Sequence, residues 1–402
     1  MCQGGHVDTI SLPGLDRPID FGVLIYHKLD FVEAFFNRYG VNVTSEVVPP
    51  AVVPSFLDYR TAQPVNITQY SAEEQSAALA RWVKFGLKYK KYVYPKYDLP
   101  SPLGDAAPLA RPFRDTVKEL KLESIVLSIG ERHTANDLLA LPTMQAVATF
   151  GYEWFDGTPL LAPVSGNNTE LYANIQAQLG NKVLLNTRVT SVHRDRKTGI
   201  AEIVAEGPDG CTNITAKQVV VGFVPTKANM KPFDTTQHED RLFAKWNCVN
   251  YHNGIVHIDG FPSGLAFDPV SSDPARYGAP AAPNVRINDL KGTRYSMVYV
   301  VSDKPNSDAA YAKKLVKQWL QKVDEVGIYN VSNVPEYFAL SDHTPLACSI
   351  SPTDMEAGFW SQLNALQGQR STSYVGQAVA ADLTSFVWVQ AQEVIDNIVK
   401  KL

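Results

Sequence analysis

A chain of 402 residues exceeds what one simple hydrophobic core organises, so two domains are the expectation. Hydrophobic residues make up 45% and charged residues 19%, an ordinary globular balance, and a formal net charge of −4 leaves no electrostatic case for nucleic acid or an anionic membrane. No apolar run approaches the roughly 20 residues of a membrane span, and the first residues lack a signal-peptide pattern. Cys2, Cys211, Cys248 and Cys348 form no CxxC pair, which argues against a zinc site or a dense disulfide framework.

Taken in chain order, Gly4-Gly5-His6 predicts a tight turn. A strand ending near Ile10, a Pro/Gly turn and the extended run Ile19–Val23 follow. Phe31, Ala34 and Phe35 recur at helical spacing and predict a helix from about Asp30 to Tyr39. The Pro-rich stretch from Val47 to Val65 reads as an extended excursion. Ser71-Ala72-Glu73-Glu74 is a capping box ahead of a long amphipathic helix carrying Leu79, Trp82, Val83, Gly86 and Tyr89, stopped by Pro95. The basic run Lys84 to Lys91 lies on this helix, where a solvated face explains it better than nucleic acid does. Helical, aromatic material continues to about Trp154 and suggests a cap over a substrate site.

From Thr169 the pattern changes. Glu170 to Leu179 predicts a helix closed by Gly180, with strands at Val183–Leu185, Arg188–His193 and Ile200–Ala205. Gly207-Pro208-Asp209-Gly210 is a hairpin turn, and Gln218–Phe223 reads as a buried strand ending at Pro225. Strands at Cys248–Tyr251, Gly254–Ile258 and Tyr295–Val301 come next. A helix from Asp308 to Val326 then places Leu315, Trp319, Leu320 and Val323 on one face, with Gly327 as its C-cap. The strand Thr372–Val375, Gly376, a small-residue loop and a helix from about Leu383 to Lys400 finish the chain. The whole predicts an α/β fold of mixed α+β character. Asn-x-Ser/Thr triplets at Asn42, Asn66, Asn167, Asn213 and Asn330 suit the secretory route and also arise by chance, so localisation stays open.

No glycine cluster is specific alone; their order along the chain is. Gly4-Gly5-His6-Val7-Asp8-Thr9, Ile19-Asp20-Phe21-Gly22-Val23, Leu179-Gly180 with Val183, Val189 and Val192, Val219-Val220-Val221, and Leu366-Gln367-Gly368 with Tyr374-Val375-Gly376 follow one another. This pattern resembles the flavin-containing amine oxidoreductase superfamily over nearly the whole chain. Within it the chain is most similar to fungal flavoproteins related to β-cyclopiazonate dehydrogenase, which serve secondary-metabolite pathways. The resemblance implies FAD as cofactor and a Rossmann-like FAD-binding domain lacking its first βαβ unit, formed by residues 1–55, 160–230 and 340–402. Residues 56–159 and 231–339 would form the substrate or cap domain. The family begins with a strand, a GxGxxG turn and a helix; this chain starts after that unit, and its intact flavin-facing segments point to an incomplete chain rather than a cofactor-free relative.

What the resemblance implies for single residues is as follows. Gly4 and Gly5, with His6 where many relatives carry Arg, would let the backbone approach the flavin pyrophosphate. Asp20, Gly22 and Val23 would pass along the isoalloxazine. Val189 and Val192 would meet the adenine, with Gly222 to Pro225 closing that end. Gly376 and the helix start at Thr384 and Ser385 would offer N–H groups to the pyrimidine carbonyl.

On the substrate side, amine oxidases often place a Lys near flavin N5, yet Cys248 to Gly254 contains none. Desaturation or oxidative ring closure at a C–N or activated C–C bond is therefore preferred over simple amine oxidation. His343, His27 and Tyr374 are the candidates for a proton acceptor or an aromatic wall, and a histidine base suits neutral pH. For each, a packing or capping role is as common as a catalytic one. Cys348, in a buried strand, reads as a free small hydrophobe rather than a covalent flavin anchor. The partners expected are a small-molecule substrate and O2 or another acceptor, with neither nucleic acid nor membrane. The competing reading is a flavin-free, non-catalytic binding protein. A nicotinamide-dependent dehydrogenase is weaker, since it would leave the Tyr374-Val375-Gly376 ending unexplained.

Overall fold

The computed structural model describes residues 5–46, 52–130, 135–305 and 307–401. It opens with a two-residue hairpin, β1 (Thr9–Ile10) against β2 (Ile19–Asp20), extended by Phe21 N–H to Asp8 O and Val23 N–H to His6 O. Strand β3 (Tyr26–His27), helix α1 (Asp30–Arg38) and β4 (Val43–Thr44) follow. Helix α1 has Asp30 and Glu33 in its first turn and Arg38 in its last, which suits the helix dipole, and it buries Val32 and Phe36.

The Pro-rich excursion contains β5 (Val53–Asp58), which straddles the expected domain boundary at residue 55 and pairs in parallel with a strand some 200 residues further on. Helix α2 (Ala72–Val93) starts at the capping box read from the sequence: Ser71 Oγ accepts from Glu74 N–H, and the Glu74 carboxylate accepts from Ser71 N–H. With α3 (Phe113–Leu120), α4 (Val126–Gly130) and α5 (Thr143–Thr149) it forms a helical block packed around Trp82, Leu109, Phe113 and Met144.

Strand β6 (Leu160–Pro163) pairs with both β3 and β4, and α6 (Thr169–Leu179) follows it, ending at Gly180. The strand expected at Val183–Leu185 does not form; those residues are irregular, and Leu184 and Leu185 are exposed. Among the described residues these three apolar residues, which lack alternation, meet neither a partner strand nor a core that buries them. The antiparallel meander is instead β7 (Arg188–Arg194), β8 (Ala201–Gly207) and β9 (Gly210–Ala216).

Strand β10 (Val219–Val221) is shorter and less buried than expected, with Val220 41% exposed. An unbroken valine run suggests burial on both faces, yet only Val221 points wholly inward. After α7 (Gln237–Phe243), the two strands expected around residues 248–258 fuse into one, β11 (Asn247–His257), running through Gly254. A Cβ there would lie 2.2 Å from Ala339 O, so glycine is what allows the neighbouring strand to close in.

Strands β12 (Leu265–Val270), β13 (Asn284–Asp289) and β14 (Ser296–Ser302) complete most of a seven-stranded mixed sheet. Helix α8 (Ala309–Val326) covers one face, burying Val316, Trp319, Leu320 and Val323 against Val256, Val298 and Val300. Strand β15 (Glu336–Asp342) lies at one edge, β5 at the other, and β16 (Leu346–Ser349) extends β11. Helices α9 (Pro352–Glu356) and α10 (Phe359–Asn364) lead to β17 (Thr372–Tyr374), which pairs in parallel with β10, and to the closing helix α11 (Thr384–Val399). On the sheet's other face the N-terminal hairpin packs Leu12 and Phe21 against Ile255, Tyr295 and Met297.

Candidate functional site

The hairpin brings its first residues onto a segment from the far end of the chain. Asp8 Oδ2 lies 2.6 Å from His343 Nε2, and both side chains are buried. The His6 ring stacks on His343 at 4.8 Å and 14°. Burial, and secondarily the neighbouring His343, hold His6 down to about 4, so it is neutral at physiological pH. The His343 backbone donates to Tyr251 O, Thr344 Oγ1 accepts from Tyr251 N–H, and the Tyr251 ring lies 5.9 Å from His343. Burial also pushes the Asp382 carboxyl up to about 6, against opposing effects of Ala347 and His343.

The stretch Asp20–Val23 is pinned from several sides. Asn168 N–H donates to Asp20 Oδ1 and its amide to Val23 O, while Thr9 Oγ1 bonds Asp20 and Asn253 Nδ2 bonds Phe21 O. Burial raises Asp20 to about 6. Gly22 is required by the hairpin itself, because a Cβ would sit 2.0 Å from His6 O and 2.8 Å from Asp8 N. Gly22→Ala should therefore destabilise the fold by about 1–3 kcal/mol as those backbones are forced apart. A shift in the thermal midpoint measures this, and an unchanged midpoint would contradict the packing.

The same run leads to His27, whose N–H donates to Ser385 Oγ at 2.8 Å. Its ring lies 5.0 Å from Trp154 and 5.5 Å from Phe386, burial lowers it to about 4, and Nε2 is buried without a partner among the described residues. Helix α11 begins beside it with Leu383 at the N-cap position and no side-chain cap, so its first N–H groups can serve an oxygen acceptor. Gly376 has φ +97, and its Cβ would approach Gly222 O at 3.3 Å. Gly5, at φ +63, has nothing near its Cβ direction; Gly4 lies outside the described residues.

Other expected residues sit elsewhere. Tyr374 is buried with its hydroxyl 3.3 Å from Glu239 Oε1, within a cluster of Arg194, Asp234, Glu239 and Arg370. Burial and Glu239 hold its phenol far above the ordinary range. Val189 is partly exposed on β7, and Val192 is buried and bonded to Pro232 O. Pro225 follows the buried Val224. Cys348 is not a free thiol: it forms a disulfide with Cys248 across β11 and β16, a pairing that residues 100 apart did not reveal.

Two features were missed from the sequence. Asp8 stands two residues after His6 on an extended segment and so shares its face, which is the signal that could have marked it. A cavity of about 230 Å³ between the helical block and the sheet is lined by Leu127, Leu138, Tyr251, Tyr299, Asp268 and Arg286, the last two paired at 2.5 Å. Among the described residues no group of His, Cys, Asp or Glu could hold a metal, and no helix is long and apolar enough to cross a membrane.

Comparison with known proteins matches this architecture. β-Cyclopiazonate dehydrogenase of Aspergillus oryzae is 27% identical over 399 residues, covering 98% of this chain and 85% of that protein. FAD-dependent oxidoreductases of Cochliobolus heterostrophus and Monascus ruber are 25% and 24% identical, each over 96% of the chain and 81% and 82% of their own lengths. No protein-family model matches. Among solved structures, the CLA-producing fatty acid isomerase from P. acnes superposes with a TM-score of 0.69 at 14% identity, over 98% of this chain and 90% of that one. Cyclohexylamine oxidase from Brevibacterium oxydans gives 0.62 at 14%, over 99% and 91%. The fold is the mixed α/β fold of FAD-dependent amine oxidases, and the sequence relatives are fungal FAD-dependent oxidoreductases.

Proposed function

We propose that this chain is an FAD-dependent oxidoreductase that takes a hydride from a small organic substrate at a C–N or activated C–C bond, with His343 receiving the proton. The observation that carries the reading is the buried Asp8–His343 contact beside Tyr251, which also walls the cavity. The named relatives support the cofactor and the reaction class and suggest a setting in fungal secondary metabolism.

The residues present fit FAD. The uncapped start of α11, with Thr384 and Ser385, suits the pyrimidine carbonyl, and Gly5, left-handed with open space in its Cβ direction, leaves backbone that a ligand can approach. His6 would stand with Gly5 at the pyrophosphate, Asp20, Gly22 and Val23 would line the ring system, and Val189, Val192, Gly222 and Pro225 the adenine end. Residues 1–55, 160–230 and 340–402 would form the cofactor half, and residues 56–159 and 231–339 the substrate half. Bound FAD supplies the hydride acceptor.

The Asp8 carboxylate accepts from His343 Nε2–H, which leaves Nδ1 as the basic nitrogen of the neutral ring. As His343 takes a proton at Nδ1, Asp8 stabilises the resulting cation. Burial keeps His6 neutral, so it packs on that ring without competing for the proton. The helical block and the sheet wall the cavity on two sides. O2 is the acceptor we assign for turnover.

Protein reconstituted with FAD should absorb near about 450 nm and bleach anaerobically on addition of an oxidisable amine or activated heterocycle. Protein that stays colourless would overturn the reading.

A further inference from the structure

We infer that Asn253 accepts a hydrogen bond from the flavin N5–H of the reduced cofactor and thereby sets its potential, an inference resting on the FAD reading above. Asn253 is 2% exposed, at the centre of β11. Its amide faces Phe21 O, which can only accept, so the group pointing there must be the NH2. That leaves Oδ1 as an acceptor, and it is buried with no donor among the described residues. Native proteins leave few such atoms, because a buried acceptor without a donor is destabilising. A ligand bound beside it can bring the missing donor.

Its position selects which donor. Residues of β11 alternate faces, so Asn253 shares a face with Tyr251 and Ile255. Ile255 packs under the hairpin and Tyr251 lines the cavity. Across the ladder Asn253 stands opposite Tyr299, which also lines the cavity. The amide thus sits between the substrate cavity and the Phe21–Gly22 backbone. The uncapped start of α11 lies at the other end of that run, where His27 meets Ser385. A flavin whose pyrimidine edge lay at α11 would turn its hydride-accepting nitrogen toward the cavity. N5 carries a proton only after it has received the hydride, so this contact exists in the reduced form and is absent in the oxidised one.

The test is the two-electron midpoint of bound FAD, measured by dye equilibration in wild type and in Asn253→Ala and Asn253→Ser. Loss of one such hydrogen bond should destabilise the reduced form about tenfold in the Ala variant, a fall of about 30 mV for a two-electron couple. The Ser variant, which keeps a hydroxyl, should fall less. If neither variant holds FAD, wild type is loaded with 5-deaza-FAD, which has carbon in place of N5. The stabilisation of the reduced form relative to the free cofactor should then drop by a similar factor. Unchanged midpoints in FAD-bound variants, or an undiminished shift with the deaza cofactor, would overturn the inference while leaving the functional reading intact. Wild type that binds no FAD would instead overturn that reading, and this one with it.

Discussion

His343→Gln should slow anaerobic, substrate-dependent reduction of bound FAD by about 10²- to 10⁴-fold, the usual contribution of a positioned general base. Its 450 nm absorbance and thermal midpoint should stay close to wild type, because glutamine can still donate toward Asp8. Asp8→Asn tests the same pair from the other side. The amide cannot stabilise a cationic imidazole, so flavin reduction should slow while the flavin absorbance and the thermal midpoint stay close to wild type. A merely structural defect would lower those two as well. Stopped-flow reduction at neutral pH, read beside absorbance and midpoint, separates the two, and full activity in His343→Gln would remove the histidine from the mechanism.

The second large effect concerns stability. Arg194 has a fully buried side chain that pairs with Asp234 and Glu239 at 2.8 Å each, and Arg370 and Tyr374 join the same cluster. Arg194→Met should cost about 3–5 kcal/mol, the expected penalty for stranding a buried carboxylate. The sign of the pH dependence follows from the carboxylates. Burial raises Glu239, but hydrogen bonds from Arg194 and Thr236 and the Arg194 charge outweigh it, and Asp234 behaves likewise. Both are held below their ordinary values, so the stability they contribute is present above the unfolded carboxylate range and is lost as pH falls through their lowered folded values. The variant lacks that contribution, so the gap between the two proteins should be widest near neutrality and should narrow below about pH 4. Urea titrations at pH 7 and pH 3.5 measure it; a gap that widens in acid would contradict the assignment.

How much of this was legible in the sequence depended on range. The caps of α2 and α8 were read to the residue, because Ser71 with Glu74 and Gly327 act within one turn. The sheet was harder. Strand β5 is ordered by β12, and two short strands became β11 only because Gly254 lets β15 close in. In the site, His6 and His343 were each singled out for separate reasons, while the contact that unites them runs through Asp8, 335 residues from His343. Tyr374 was chosen as an aromatic near a glycine, yet a three-residue strand buried on every side turned its phenol toward Glu239. Asn253 was in view as part of a segment lacking lysine; its unsatisfied oxygen exists only once Phe21 has taken the other half of the amide.

Among the described residues β10 pairs with β17 alone, which has a practical consequence. Val375 N–H bonds Val221 O, so the peptide groups of Val220 face away from β17, and Val220 and the nearby Phe223 are both substantially exposed. Such a border recruits strands from other molecules unless charge or proline blunts it, and only Lys217 precedes it closely. Concentrated solutions of this protein should self-associate through that border first, and a lysine in place of Val220 is the substitution to keep them clear.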